Sequence, residues 1–135
     1  MKMKIRTSCF TIAMALILVT TAFSQNARVS ADIPFDFYIG EAKMASGNYT
    51  VEMLGGPALL IRSVRGYAAV ATLSRAASEP QDLHGRMLFT KYGDQYFLSE
   101  ISWLGGPARA LPKTAGEIET AKRVGPGSRF ELATR

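Results

Sequence analysis

The chain has 135 residues, 16 basic against 11 acidic, with one cysteine and one histidine. A single cysteine excludes an internal disulfide, and one histidine without cysteine partners leaves too few ligands for zinc, which takes three or four from the protein. No cluster of Lys and Arg interleaved with aromatic residues supports nucleic-acid binding.

Residues 1–24 read as a secretory signal peptide. Lys2, Lys4 and Arg6 make a basic start, the apolar run FTIAMALILV follows over residues 10–19, and Ala22 and Ser24 supply the small residues before cleavage ahead of Gln25. The apolar run, about ten residues, is short of the roughly 20 that span a bilayer. Cys9 precedes that run, so it is not the acylated cysteine of a lipoprotein. The expected mature domain is residues 25–135, one β domain without cysteine, with 13 basic and 11 acidic residues. That length suffices for a single core. The expected location is the periplasm or the medium.

Residues 25–28 form a frayed start. In residues 29–39, Val29, Ala31, Ile33, Phe35, Phe37 and Ile39 alternate with polar positions, which predicts one strand. Pro34 lies inside it and cannot donate to a ladder, so an edge position or a bulge is expected there. Residues 40–47 read as a polar connection. Residues 48–54 predict a second strand with Tyr49, Val51 and Met53 on one face, ended by Gly55-Gly56-Pro57. Residues 58–64, ALLIRSV, are apolar enough for a central strand, and Arg65-Gly66 is a tight turn. Residues 67–74, YAAVATLS, predict a fourth strand whose small side chains suggest close approach of another layer or a narrow barrel interior. Residues 75–84 are a polar loop containing Pro80.

Residues 85–103, GRMLFTKYGDQYFLSEISW, predict a hairpin around Gly93-Asp94. A two-residue turn pairs Lys91 with Tyr96 and Phe89 with Leu98. A three-residue loop pairs Tyr92 with Tyr96 and Met87 with Ile101, and gathers Met87, Phe89, Phe97, Ile101 and Trp103 on one face. The two registers exclude each other in a regular ladder. The single apolar face favours the second, because burying each large apolar side chain contributes roughly 1.5–3 kcal/mol.

Residues 104–112 form a Gly/Pro loop. Thr114 and Glu117 fit a capping box for a helix over about residues 115–123, with Glu117 reaching back. Lys122 and Arg123 suit its last turn. The tail, residues 124–135, is open between a last short strand through Phe130 and Leu132 and disorder. LGGPA occurs twice, at residues 54–58 and 104–108, and reads as reuse of one strand-ending turn. The expected fold is mainly β: an antiparallel meander of about six to seven strands forming a small barrel, with a two-layer sandwich as the alternative and one short C-terminal helix. Strands of about seven residues are short of the 9–11 of an outer-membrane barrel.

No catalytic constellation is visible. His84 has Asp82 as its one nearby carboxylate and no G-x-S-x-G nucleophile motif to serve. Asp32 and Asp36 lie about 13 Å apart along a strand, too far for a dyad. Glu117 and Glu119 point different ways from a helix, and Glu100 has no evident partner. Both GGP sequences end in proline, which removes an amide from any phosphate cradle. The aromatic residues remain: Tyr49, Tyr92, Tyr96, Phe97 and Trp103 either line a ligand cavity, form a surface for a partner, or serve as core and cross-strand pairs.

DIPFDFYIG at residues 32–40, Gly47-x-Tyr49-x-Val51, YGDQYFLSEI at residues 92–101 and LPKTAGE at residues 111–117 together resemble a family of small exported bacterial proteins of acidobacterial type. The family pattern is similar to DIPFxF, LPAGxYxV, YGDxYFLxxxW and LPxSxxE. The chain departs from it at residues 44–47, MASG, where the pattern has LPAG. The resemblance implies no activity, cofactor or site residue. The expectation is therefore a non-catalytic exported β domain, without cofactor or metal, that binds a protein or envelope component. Tyr49, Tyr92, Tyr96 and Trp103 are its candidate contacts. A small carrier of an apolar ligand is the alternative, and a hydrolase using His84 a distant one.

Overall fold

The computed structural model describes residues 28–66, 68–77, 84–103 and 108–135. The expected signal peptide with Cys9, the Tyr67 start of the fourth strand, Pro80 and Asp82, and most of the second LGGPA turn lie outside these residues. The elements in chain order are β1 (Arg28–Ile33), β2 (Phe37–Ile39), β3 (Ala42–Met44), β4 (Gly47–Gly55), β5 (Ala58–Ser63), β6 (Ala69–Leu73), β7 (Arg75–Ala76), β8 (Arg86–Tyr92), β9 (Gln95–Ser102), β10 (Arg109–Ala110), α1 (Ala115–Val124) and β11 (Ser128–Ala133). The protein is mainly β, as the alternation predicts, with one short helix near its C-terminus.

Two sheets enclose the core. The first runs β1-β4-β5-β6; the second runs β11-β8-β9-β10-β7 and curls into a half-barrel, with β2 and β3 beside β9. The expected single strand over residues 29–39 is broken at Pro34. Its first half pairs with β4 in one sheet and its second half pairs with β3 and, in parallel, with β9 in the other. A proline without an amide proton is a natural place to leave a ladder. The crossing is pinned by Asp36, whose carboxylate accepts from the Ser46 amide at 2.9 Å. The 40–47 connection is also more ordered than its polarity suggests, since β3 folds back on β2 inside it.

The sheets meet again at two corners. Beyond β11, Arg135 exchanges both backbone hydrogen bonds with Ser30 of β1, at 3.1 and 2.8 Å. At Ser74 the chain passes from β6 to β7 and so from one sheet to the other. Ser74 is buried there. Its amide and hydroxyl both donate to the Pro57 carbonyl, at 2.7 and 2.8 Å. Arg109 in turn donates to the Ser74 hydroxyl and carbonyl at 3.0 and 3.2 Å. β6 is the outer strand of its sheet, and Ala69, Ala71 and Leu73 are exposed. The small side chains of this strand therefore do not mark close approach of another layer.

The β8–β9 hairpin resolves the conflict between turn chemistry and facial segregation by using both registers. A two-residue turn at Gly93-Asp94, with Gly93 at φ 62°, pairs Tyr92 with Gln95, Lys91 with Tyr96 and Phe89 with Leu98. The register then shifts, so that Leu88 faces Glu100 and Met87 faces Ile101. Ser99 is the extra residue of a β-bulge. The three-residue loop is thus incorrect at the turn, while its distal pairing holds beyond the bulge. Phe97 leaves the expected face, and Leu98 joins Met87, Phe89, Ile101 and Trp103 in the core instead.

That core fills the space between the sheets. Phe37 and Phe89 are completely buried and meet edge to face at 5.6 Å; Tyr49 lies edge-on to Phe37 at 5.1 Å and Phe35 edge-on to Phe89 at 5.0 Å. Such ring pairs add about 0.5–1.5 kcal/mol each beyond area burial. β11 settles the tail as a strand, paired with β8 along its length.

The helix begins where the cap predicts. The Thr114 hydroxyl accepts from the Glu117 amide at 3.4 Å, and Gly125 ends it with its amide on the Ala121 carbonyl. The other half of the capping box is replaced: the Glu117 carboxylate accepts from the Tyr92 hydroxyl at 3.1 Å. α1 lies over the outer face of the half-barrel, and its buried residues are the polar Glu117 and Thr120, while Ile118 and Val124 stay exposed. The chain leaving it passes close over β8, where a Cβ on Gly127 would come within 2.5 Å of Thr90 Cγ2 and 2.8 Å of the Tyr92 ring.

Phe37→Ala should lower the unfolding free energy by about 3–5 kcal/mol in urea titration. Gly127→Ala should cost about 1–3 kcal/mol by overpacking, although its backbone conformation suits any residue. An unchanged midpoint for Gly127→Ala would contradict the close approach of this segment to β8.

Candidate functional site

The structure divides the four aromatic candidates. Tyr49 is a core residue of β4, 3% exposed, and its hydroxyl donates to the Ala45 carbonyl at 2.6 Å. Burial, reinforced by the Asp36 carboxylate, raises its phenol pKa. Tyr96 lies at the edge of the core, stacked on Phe35 at 3.8 Å and edge-on to Phe130 at 5.9 Å, with the Lys91 ammonium 5.3 Å above its ring. Trp103 is buried just beyond the end of β9 and lines a groove together with Val29, His84, Gly85 and Ala133. Its indole N–H has no hydrogen-bond partner. Tyr92 is on the opposite, outer face of the half-barrel, edge-on to Phe97 at 5.7 Å and under α1. These residues line no common cavity. Tyr49, Tyr92 and Trp103 each border a different open groove, and Tyr96 packs against Phe35 and Phe130.

The groove at Tyr92 concentrates the polar chemistry. It has a volume of about 590 Å³ and lies between the outer face of β8–β9 and the segment leading into α1. Its position follows from strand register. Arg75 pairs with Ala110, Ala110 with Glu100 and Glu100 with Leu88, so these four residues form one row on one face of the sheet. The Ser99 bulge puts Ser99 beside Glu100 on that same face, where the Ser99 and Thr90 hydroxyls meet at 2.6 Å. Lys113 and Arg129 stand at the walls.

Two buried carboxylates share this groove. Glu117 is 5% exposed. Loss of solvation raises its pKa, opposed by the Tyr92 hydrogen bond and by the Lys113 charge. Tyr92 is raised in turn by its own burial first, then by the Glu117 charge and hydrogen bond. Glu100 is 9% exposed and one of its carboxylate oxygens, Oε1, is enclosed without a hydrogen-bond partner. The sequence singled out Glu100 only as a residue without an evident partner. What made it a site residue is the bulge, which a regular alternation does not anticipate, and the pairing of β10 with β7, a segment too distant in sequence for local pattern to reveal.

Among the described residues no three His, Cys, Asp or Glu side chains are grouped to hold a metal ion. His84 is exposed at the approach to β8. No helix among the described residues is long and apolar enough to cross a membrane. No family model, no curated protein and no solved structure matches this chain.

The raised Glu117 pKa has a direct consequence for stability. The folded state binds this proton more tightly than the unfolded chain, so stability is highest below the ordinary value of 4.5. It falls as pH rises from there through the raised folded value. Glu117→Gln should remove that slope: relative to wild type, the variant gains thermal stability between pH 4 and pH 7. Parallel melting curves across this range would show that Glu117 is not desolvated.

Proposed function

We propose that the protein is a non-catalytic exported binding domain that takes an extended, acid-bearing segment of a partner protein onto the outer edge of β6, which no described strand pairs. The carrying observation is the state of that edge. The Ser63 amide bonds to the Ala68 carbonyl and the Ser74 amide to the Pro57 carbonyl. With the β5–β6 register these bonds assign residues 68, 70, 72 and 74 to the ladder with β5. The amides and carbonyls of Ala69, Ala71 and Leu73 therefore point outward, and these residues are exposed.

Sheet edges are ordinarily blunted by lysine, proline, bulges or inward charges. β6, AVATL, has none of these. An unprotected edge is a template for strand addition, in which main-chain hydrogen bonds supply affinity and alternate side chains supply selectivity. Charge favours an acidic partner over a second copy. Residues 53–78 contain Arg62, Arg65 and Arg75 and no acidic residue, and antiparallel self-pairing would bring the Arg75 end of one strand toward the Arg65 end of the other. The filled interior between the sheets lends no support to the apolar carrier. The N-terminal sequence supports export, and the resemblance to small exported proteins agrees with it without adding an activity.

Ala71→Pro tests this reading cleanly, because the Ala71 amide is not used by β5. The variant should keep its fold and lose a saturable partner that the wild-type protein recovers from envelope extract. Binding should also weaken with added salt, since exposed charges are screened within about 10 Å at 0.1 M. A partner retained undiminished by Ala71→Pro would overturn the edge mechanism. A concentration-dependent dimer in sedimentation, abolished by the same substitution, would replace the foreign strand by a second copy.

A further inference from the structure

We propose that the groove between the outer face of β8–β9 and the segment entering α1 is a second binding site, for a small zwitterion of the amino-acid or short-peptide class. The site is separate from the β6 edge. Its ammonium pole is Glu100, and its carboxylate pole is Arg75.

Three observations converge on this. Glu100 is more than nine-tenths buried, faces the groove, and has an enclosed carboxylate oxygen without a hydrogen-bond partner. A buried carboxylate in that condition bears a desolvation cost that only a donor or cation can offset. Second, the register fixes the backbone of an opposite charge two strands away. Arg75 and Glu100 occupy the same row of the sheet with Ala110 between them. At about 4.8 Å per strand their backbones are roughly 9–10 Å apart. Ala110 has only a methyl group to fill the gap, so it forms the floor of the groove. Third, the remaining lining is suited to a polar organic molecule: the Ser99 and Thr90 hydroxyls stand beside Glu100, and Leu111 offers an apolar wall.

The chemistry follows from that spacing. A simple anion would be repelled by Glu100 and Glu117. A simple cation would satisfy Glu100 and leave the Arg75 pole unused. A molecule with an ammonium and a carboxylate a few ångströms apart satisfies both ends, with the Glu100 carboxylate accepting from the ammonium and the Arg75 guanidinium donating to the carboxylate.

The experiment is an amide chemical-shift titration of the purified protein with alanine, alanyl-alanine, N-acetyl-alanine, alanine amide and ammonium chloride. The zwitterions should shift Leu88, Glu100 and Ala110, and blocking either end should weaken binding roughly tenfold or more, as expected for a lost hydrogen bond to a charged group. Glu100→Gln should abolish the response while leaving the spectrum otherwise folded. Shifts by ammonium chloride equal to those of the zwitterions would reduce the site to a cation site and overturn the proposal. So would equal binding of N-acetyl-alanine, persistence of binding in Glu100→Gln, or no shift by either zwitterion at tens of millimolar.

Discussion

The bulge at Ser99 is the constraint on which the rest of the half-barrel depends. In an unbroken strand, side chains alternate strictly, and any slip of one residue inverts them all. Within β9 Leu98 is turned inward, opposite Phe89, and without an extra residue Glu100 would follow it into the core. The unpaired Ser99 shifts the phase by one. Leu98 and Ile101, three apart, both reach the inter-sheet core, and Ser99 and Glu100 both face out. A single inserted residue thus keeps a carboxylate out of the interior and fills its place with a branched aliphatic side chain. It also delivers that carboxylate to the outer groove.

The same displacement explains the unusual polarity of α1. A helix packed on a sheet ordinarily presents its apolar stripe. Here the outer face it covers holds Tyr92, Thr90, Ser99 and Phe97, and the matching helical residues are Glu117 and Thr120. Thr120 satisfies its hydroxyl within the helix, on the Gly116 carbonyl at 2.8 Å, and Glu117 uses the Tyr92 phenol. The helix is held by its cap, by these hydrogen bonds and by the close passage of Gly127 over Tyr92, rather than by a large apolar contact. Elements with little apolar burial sit at the low end of local stability.

Local pattern revealed most of the strands, the Gly93-Asp94 turn and the helix with its Thr114 cap, because each depends on neighbours in sequence. It did not reveal partners. Pro34 was visible as an interruption, but its meaning, a change of sheet, depends on β9 sixty residues away. The registers of the hairpin were both visible, and the assumption that a ladder is regular made them alternatives. The aromatic residues drew attention because they are large, yet Tyr49, Tyr92 and Trp103 border three separate grooves instead of one. Glu100 drew little, because a carboxylate becomes informative only once its burial and lack of a partner are known. The chemistry of the outer groove rests on β7 as well as on β9 and β10, and Arg75 of β7 stands far before its partner Ala110 in sequence.

Small side chains matter here for what they leave open. Alanine is a poor strand former by propensity, on a scale that spans about 1 kcal/mol. β6 nevertheless carries alanine at two of its three outward positions, Ala69 and Ala71. At those positions the strand gains little from its side chains, and its outward amides and carbonyls have no described strand beside them. Ala110, whose backbone is paired on both sides, withholds only its side chain on the outer face of the half-barrel, where a larger residue would bridge the gap between Arg75 and Glu100. The four-stranded sheet reserves its bulk for the inward residues Leu59 and Ile61, both completely buried. Stability is concentrated in the interior, and the accessible edge and the accessible groove are both places where side-chain volume is withheld.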